Sequence, residues 1–342
     1  MRPLLRRTTG VCCDLPRRPK VTVDHLPPNF TFHDVGSAAV LSRDEILAGM
    51  RAAQKTLPPK LFYDAWGSAQ FNAICETEAY YVTRTELAIL ARHAQDIQRA
   101  VGDQCIVIEP GPGDMSKFRL LLSHLRPLAY LAIDVSPNVE REGLKLAQRF
   151  PWLQVISARA DFESGLDQLP LPKGGRRVIF FPGSTIGNLE PHAVPAFLKR
   201  QARVAGAAGG VILGVDLQKD EATLNLAYND PQGLTRDFNL NVLTRLNREF
   251  DGTFDLSHFE HRAFYNSLKT RIEMHLVSRV DQSVVLSGET VRFTRGESIH
   301  TENSYKYTID SMSTLAASCG LIQQAVWTDA RKFFAEFYFS VK

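Results

Sequence analysis

No run of apolar residues in this sequence approaches the eighteen or so that a membrane span requires; the longest, at residues 209–215, is the length of one strand. Cysteine is scarce. Cys12, Cys13, Cys75, Cys105 and Cys319 are odd in number and form neither a CxxC pair nor a Cys/His spacing, which argues against a disulfide framework and against a metal site. A reducing cytoplasm is the expected compartment. Excess charge is missing too: 40 basic residues against 37 acidic leave a net charge of +3, and Arg2, Arg6, Arg7, Arg17, Arg18 and Lys20 supply much of the surplus. A body this close to neutral lacks the basic face of a nucleic-acid binder, so neither nucleic acid nor membrane is expected as a partner. Residues 1–20 hold no apolar core of a secretion signal and are expected to be a disordered basic extension. There is no internal repeat and no low-complexity segment.

What is present is an ordinary globular balance, 44% hydrophobic and 23% charged over 342 residues, enough for one large domain or two modest ones. A helical pattern at residues 41–57 starts at Ser42-Arg-Asp-Glu45, a capping-box-like opening. Pro58 and Pro59 stop it, and Thr83-Arg-Thr-Glu86 opens another helix. The middle of the chain alternates strand and helix: strands at 105–108, 130–133, 155–157, 178–181 and 211–215, with helices at 116–125, 138–149 and 195–204. Such alternation calls for a parallel sheet with right-handed crossovers. Beyond Asp216 it ends. A polar helical stretch at 221–248 precedes two runs, 271–280 and 283–293, expected to pair antiparallel, and 323–328 and 334–341 are expected to close the chain as a hairpin. The expected fold is therefore α/β, a Rossmann-like core over residues 86–215 and 305–342 with a second, discontinuous α+β lobe from residues 21–85 and 216–304.

The strongest chemical signal is Val107-Ile-Glu-Pro-Gly-Pro-Gly-Asp114. A strand running into Glu-x-Gly-x-Gly and then a helix leaves backbone without Cβ atoms where a ligand can approach. The loop lacks the third glycine of a dinucleotide fingerprint and the Gly-Lys-Ser/Thr of a triphosphate loop. It fits the S-adenosylmethionine loop of class I methyltransferases, whose ligand carries no phosphate. The next strand ends at Asp134, where a carboxylate can accept two ribose hydroxyls, and Asp161-Phe162 follows the third, suited to an adenine amine and ring face. A glycine pair alone is as often a plain tight turn; the two acidic strand ends shift the balance toward cofactor. A second signal, Phe180-Phe-Pro-Gly-Ser-Thr-Ile-Gly-Asn188, follows the fourth strand at the ligand-binding edge, and the Asn188 amide offers a donor and an acceptor to a zwitterion.

In order along the chain stand Leu57-Pro-Pro-Lys-Leu-Phe-Tyr-Asp64, Tyr80-Tyr81-x-Thr83-Arg84-x-Glu86, Gly183-Ser-Thr-Ile-Gly-Asn188, Ala227-Tyr228-Asn-Asp230, Phe238-Asn239-x-Asn241, Arg271-Ile-Glu-Met274 and Thr301-Glu-Asn-Ser-Tyr-Lys306. Together these resemble the L-histidine Nα-methyltransferases of ergothioneine biosynthesis, from about Leu57 to the C-terminus. The resemblance implies a monomeric enzyme that trimethylates the α-amine of L-histidine to the betaine hercynine with S-adenosyl-L-methionine. It implies cofactor contacts at Glu109, Gly111, Gly113, Lys117, Asp134, Asp161 and Phe162. It further implies that Asn188 and Tyr228 hold the substrate carboxylate, that Tyr63 and the Gly183 backbone lie near the amine, and that Glu302 and Ser304 bond the imidazole, with Tyr63 and Asn188 closest to the chemistry.

Pro110, Pro112 and Asp114 depart from the pattern, and Pro112 removes one backbone donor from the loop. Taken singly, Tyr63 is core packing in an aromatic cluster, Tyr228 a helix-surface aromatic, and Glu302 a solvated carboxylate. Met274 is pocket wall or core. His258, His261, His275 and His300 are assigned no metal. Two rival functions stand beside the main one: an N-methyltransferase of another aromatic amino acid or histidine derivative, and a non-catalytic cofactor-binding regulator.

Overall fold

The computed structural model describes residues 26–35, 42–161, 169 and 174–342; the basic extension and Phe162 lie outside these described residues. Its strands are β1 (Phe30–Asp34), β2 (Lys55–Thr56), β3 (Cys105–Pro110), β4 (Ala129–Asp134), β5 (Gln154–Arg159), β6 (Arg176–Phe181) and β7 (Gly210–Asp216), then β8 (Phe259–Asn266), β9 (Arg271–Ser278), β10 (Gln282–Leu286), β11 (Glu289–Phe293), β12 (Ser298–Tyr305), β13 (Leu321–Thr328) and β14 (Phe334–Val341). The helices are α1 (Arg43–Arg51), α2 (Ala65–Glu76), α3 (Tyr81–Val101), α4 (Ser116–Leu121), α5 (Asn138–Arg149), α6 (Val194–Ala205), α7 (Glu221–Ala227), α8 (Leu234–Glu249) and α9 (Ile309–Ser318). Among the described residues no helix is long and apolar enough to cross a membrane.

The central strands are apolar on both faces, as a covered parallel sheet requires. Val107, Tyr130, Val155, Val178, Phe180 and Ile212 enter one core layer. Their neighbours Ile106, Ile108, Leu131, Ile133, Ile156, Ile179, Phe181, Val211 and Leu213 enter the other. The sheet runs β1-β5-β4-β3-β6-β7-β14-β13, parallel through β7, with β14 antiparallel to β7 and β13 antiparallel to β14. The 323–328 and 334–341 runs thus form the expected hairpin, as an edge of the main sheet. Strand order reverses at β3, which pairs with both β4 and β6. Crevices at the carboxyl ends of strands flanking such a reversal are where open α/β sheets bind ligands, and both loops singled out from sequence emerge there.

A second sheet, β2-β12-β9-β8, is antiparallel except for the β12–β2 pair. Its inner residues Ile272, Met274, Leu276 and Ile299 share one core layer with the first sheet. Three expectations need correction. Residues 271–280 do not pair with 283–293: β9 lies between β8 and β12, while β10 and β11 form their own hairpin. Ser287 and Gly288 explain that hairpin, since both have positive φ (52° and 82°), the two-residue turn that joins antiparallel strands. Phe30–Asp34, assigned from sequence to the smaller lobe, is instead a strand of the large sheet, parallel to β5. The Asn29 amide fixes it there by donating to the carbonyls of Ala147, Phe150 and Leu153 at the end of α5. The helical stretch at 221–248 is two helices, because Asp230 caps α8 through the Leu234 and Thr235 N–H groups at 2.8 and 2.7 Å.

Candidate active site

The loop after β3 turns through three left-handed residues, Gly111 (φ 67°), Gly113 (φ 57°) and Met115 (φ 59°). A Cβ on either glycine would meet nothing within 4 Å, so the space above the loop is open to a ligand. The loop closes on itself despite its prolines: Gly111 N–H donates to Ile133 O at 2.8 Å, Met115 N–H to Pro112 O at 2.9 Å, and Ser116 N–H to the Asp114 carboxylate at 2.9 Å. Asp134, at the end of β4, accepts the Ser136 N–H at 2.8 Å. Burial pushes its carboxyl up to about 6, opposed by the Ser136, Val135 and Gly113 N–H groups. An open glycine turn beside a desolvated carboxylate suits a neutral diol such as a ribose. Asp161 sits half-buried just past β5. Glu109, at the end of β3, is buried, accepts the Tyr130 hydroxyl at 2.5 Å and is pushed up to about 8 by that burial. Tyr130 in turn stacks on Phe118 at 3.9 Å, so Glu109 braces the floor beneath the loop.

Lys117, at the start of α4, reaches across the crevice. Its Nζ lies 2.7 Å from Glu86 Oε2, and Glu86 Oε1 accepts the Gly183 N–H at 2.5 Å. Glu86 is fully buried on the inner face of α3. Glu336 beside it is pushed well above the usual carboxylate range by burial and by the Glu86 charge. Gly183 has φ 81°, and a Cβ there would come 2.9 Å from Lys117 Nζ. Only glycine fits this join between the two loops.

Asn188, Tyr228, Glu302 and Ser304 come together where the Gly183–Asn188 loop meets the second sheet. Asn188 Nδ2 donates to Glu302 Oε1 at 3.1 Å, and the Tyr228 hydroxyl donates to Ser304 Oγ at 2.9 Å. Tyr228, at the C-terminus of α7, is buried rather than on a helix surface. A bulge in β12 explains why Glu302 and Ser304 both face inward. His300 pairs with His275 on the outer face, but the register shifts at Thr301, so Glu302 pairs with Met274 and Ser304 with Ile272, whose side chains are in the core. A regular strand would keep Glu302 on the same face as His300; one extra residue re-aims it. Thr301 is buried and pins the bulge: its hydroxyl, with one proton to give, lies within donating distance of Asn239 Oδ1 at 2.8 Å and Met274 O at 3.0 Å. Burial pushes the Glu302 carboxyl up to about 7, against the pull of Lys306.

Tyr63 stands on the aromatic side of the pocket, packing edge-on against Phe71 and Phe238 at ring separations of 5.9 and 6.0 Å. Phe71 meets Tyr80, and Tyr80 meets Tyr228, so one chain of rings runs from Tyr63 to the polar corner. Although the residue is 37% exposed at the mouth of the cleft, desolvation by its walls, with the Glu302, Tyr228 and Asp134 charges, raises the Tyr63 phenol well above its ordinary value. Phe71, Tyr80, Glu86, Glu336 and Lys306 escaped assignment from sequence. Tyr80, Glu86 and Lys306 lay within quoted motifs; Phe71 and Glu336 carry no sequence signal beyond apolar or acidic type.

The remaining motif residues brace the pocket. Asn241 Nδ2 and Arg248 hold Asp64, the N-cap of α2 next to Tyr63, at 3.0 and 2.7 Å. Glu190, just past the second loop, accepts from Asn303 (2.7 Å), Tyr305 (2.8 Å) and Arg271 (3.3 Å) of the second sheet. His275 and His300 stack at 4.5 Å on that outer face, and their ligand atoms lie with that of Glu273 within 4.8 Å of one another. Both His275 nitrogens are already hydrogen-bonded, to Ser298 Oγ and Glu273 Oε2, and Arg271 binds Glu273 at 2.7 Å. The trio reads as a closed network of an ion pair and neutral imidazoles.

Residues 42–341 match the family described as histidine-specific, S-adenosylmethionine-dependent methyltransferases. The chain is 40% identical to the histidine N-alpha-methyltransferase of Mycolicibacterium smegmatis over 300 residues, 86% of this chain and 92% of that protein. It is 27% identical to ergothioneine biosynthesis protein 1 of Neurospora crassa over 82% of this chain and 32% of that longer protein. With the 4-dimethylallyltryptophan N-methyltransferase of Aspergillus fumigatus it shares 28% identity, over 88% of this chain and 94% of that one.

Proposed function

This chain belongs to the histidine-specific, S-adenosylmethionine-dependent methyltransferases, and from that premise we propose that it transfers methyl groups to the α-amine of L-histidine three times in succession, giving the betaine from which ergothioneine is built. The carrying observation is that Asn188 bonds Glu302 and Tyr228 bonds Ser304, which sets two functional pairs side by side in one pocket: Asn188 with Tyr228, and Glu302 with Ser304. The first pair suits a carboxylate. The second suits a ring with a polar nitrogen on each side, since a carboxylate accepts an N–H and a hydroxyl can serve the other nitrogen. An apolar ring would leave the Glu302 carboxylate without its partner, which disfavours phenyl and indole substrates.

S-Adenosylmethionine, when bound, would supply an electrophilic methyl group. In our reading Gly111, Gly113, Lys117, Asp134, Asp161 and Phe162 line its site, and Glu109 supports the loop from below. The Tyr63 phenol stays protonated, so it orients the amine and does not serve as a strong base. Even a chain-terminal α-amine, with a pKa near 8, is largely protonated at neutral pH, so the substrate amine must shed its proton before each attack, and the proton leaves to water. Secondary and tertiary amines keep a lone pair; the quaternary product has none, and the sequence of transfers stops there. Positioning then accounts for most of the rate.

The second sheet with α7 and α8 forms the substrate lobe in this reading, and the parallel sheet the cofactor domain. We also propose that the enzyme works as a monomer in the cytoplasm, in keeping with its free Cys75, Cys105 and Cys319 thiols. Mass spectrometry of the protein incubated with S-adenosylmethionine and L-histidine tests the activity. Sequential appearance of mono-, di- and trimethylated histidine is expected; a product that stops at one methyl refutes the trimethylation.

A further inference from the structure

The loop Gly183–Asn188 contains a second glycine, and its backbone does not demand one. Gly187 is not among the residues with positive φ, and it sits inside the short 3-10 helix Thr185–Asn188, whose angles are open to any residue. Space demands it instead. A Cβ at Gly187 would lie 2.8 Å from Tyr305 O and 3.3 Å from Tyr305 N, so this turn rests directly on the backbone of β12. The turn has little freedom to back away. Ile186 is fully buried in the apolar core, and Ser184 Oγ, just before the turn, holds the Asp216 N–H at 2.9 Å. Glu190, just after it, accepts from Asn303, Tyr305 and Arg271 of the second sheet. What the close approach delivers is the bond from Asn188 Nδ2 to Glu302 Oε1 at 3.1 Å, near the long end of the ordinary N–H···O range. A carboxylate only accepts, so the amide turns one of its two N–H groups to Glu302, and the second remains for a substrate carboxylate. One planar group thus fixes the ring acceptor and the carboxylate donor relative to each other.

We propose that the Gly187-Asn188 step determines ring specificity: Gly187 lets the turn touch β12, and Asn188, so placed, orients the Glu302 carboxylate toward the substrate ring. The inference rests on the reading that Glu302 meets that ring. Toward the ring both are positioning residues, Asn188 acting through Glu302 and Gly187 through Asn188. A methyl group at position 187 must push turn and strand apart by about half an ångström to reach ordinary contact distance. The anchors on either side are a buried isoleucine and a carboxylate with three donors. The single long bond to Glu302 is the one that yields, and the carboxylate, still buried, loses the donor that holds its plane.

The test compares two ligands of similar shape, L-histidine and 3-(2-thienyl)-L-alanine, whose five-membered aromatic ring carries no nitrogen. Displacement calorimetry on the S-adenosylhomocysteine complex gives both affinities, at about pH 8, above the Glu302 value of about 7. Their ratio is the readout, because a loss at the shared carboxylate or amine cancels in it. Gly187→Ala should lower the preference for histidine about tenfold, the low end for a hydrogen bond to a charged group. Unchanged affinity for S-adenosylhomocysteine itself reports an intact fold. In a Glu302→Ala background the same substitution should leave the ratio where it is, since no carboxylate remains to be oriented. Should Gly187→Ala not fold, Asn188→Ala makes the same comparison, and the carboxylate contact it also loses cancels in the ratio. A glycine that merely packs would weaken both ligands alike, so a wild-type ratio in the folded variant overturns the proposal. An equal fall with and without Glu302 overturns it too. A wild type that binds the two ligands equally would instead remove the reading that Glu302 meets the ring.

Discussion

Replacing Glu302 by alanine removes the acceptor proposed to meet the imidazole N–H. This carboxylate is desolvated and, among the described residues, accepts from Asn188 at 3.1 Å, which leaves it accepting capacity for a ligand. A hydrogen bond to a charged group contributes about 1.5–3 kcal/mol. Lost from the transition state, that is roughly a 10- to 150-fold fall in kcat/KM for histidine. Phenylalanine and tryptophan never satisfied the carboxylate, so their kcat/KM should stay level or rise, and the ranking among the three should compress. Because Asn188 also loses its partner, a small loss common to all three substrates is expected on top. Glu302→Gln keeps one acceptor oxygen and should fall between wild type and alanine. The pH profile gives an independent check with a definite sign. The carboxylate form is the useful one and its pKa is pushed up to about 7. Histidine turnover should therefore fall as pH drops through that value in the wild type, and this limb should vanish in Glu302→Gln. The assay is competitive turnover of the three amino acids at several pH values. If alanine leaves the ranking untouched, Glu302 does not face the ring.

Three further outcomes follow from the same geometry. Asp134→Ala should weaken S-adenosylmethionine binding by about 1.5–3 kcal/mol in titration calorimetry, the range for hydrogen bonds to a charged group. Wild-type affinity should likewise decline as pH falls through about 6, where that carboxylate protonates; unaltered binding in a folded variant would remove it from the ribose site. Gly183→Ala forces a Cβ to within 2.9 Å of Lys117 Nζ at a φ of 81°. It should lower kcat and cofactor affinity together while circular dichroism stays native, and full activity would mean that the Lys117–Glu86 join is dispensable. Thr301→Val strips the pin from the bulge, removing the one hydroxyl proton within reach of Asn239 Oδ1 and the Met274 carbonyl. About 1–3 kcal/mol of stability should go, measurable by denaturant unfolding, with a raised KM for histidine; an unchanged KM would show that the bulge holds without its hydroxyl.

The cofactor half of the site was legible in the sequence because its grammar is local. A strand, a glycine turn and a helix are consecutive, and the glycines at 111 and 113 sit where positive φ is needed. Asp134 is recognisable as the last residue of the next strand. The substrate half obeys a different rule. Counting residues along 298–305 gives alternation that puts Glu302 beside His300 on the outer face, and only cross-strand pairing with β9 reveals the shift at Thr301. Resemblance to a family located Glu302 and Ser304, but the physical reason they point inward is invisible without register. Phe30–Asp34 failed for a related reason: one isolated strand between turn residues shows no periodicity, and its place beside β5 is set by Asn29 reaching the end of a helix more than a hundred positions away. Lys306 was quoted within a motif, yet its partner Asp216 lies ninety positions earlier.

The pocket is built from two sheets, and the way they are joined bears on what the buried charges are for. Asp216 at the end of β7 binds Lys306, which follows β12, and its N–H donates to Ser184 Oγ of the second loop. Leu217 forms a bridge with Tyr307, and Glu190 ties that same loop to Asn303, Tyr305 and Arg271. Asn188 then bonds Glu302 directly. A buried ion pair adds little net stability over an apolar pair of the same volume, because desolvation offsets most of the attraction. Apolar packing between the sheets would hold them together as well, but it could slide by an ångström at little cost. Directional bonds cannot. In the proposed reading, the distance from a carboxylate held by Asn188 and Tyr228 to a ring held by Glu302 and Ser304 must match one amino acid, and the nitrogen between them must meet a methyl group presented from the other sheet. A misplacement of that size costs on the order of a hundredfold in rate. The charged join is thus best understood as setting the geometry of the pocket, with stability supplied by the apolar layer the two sheets share.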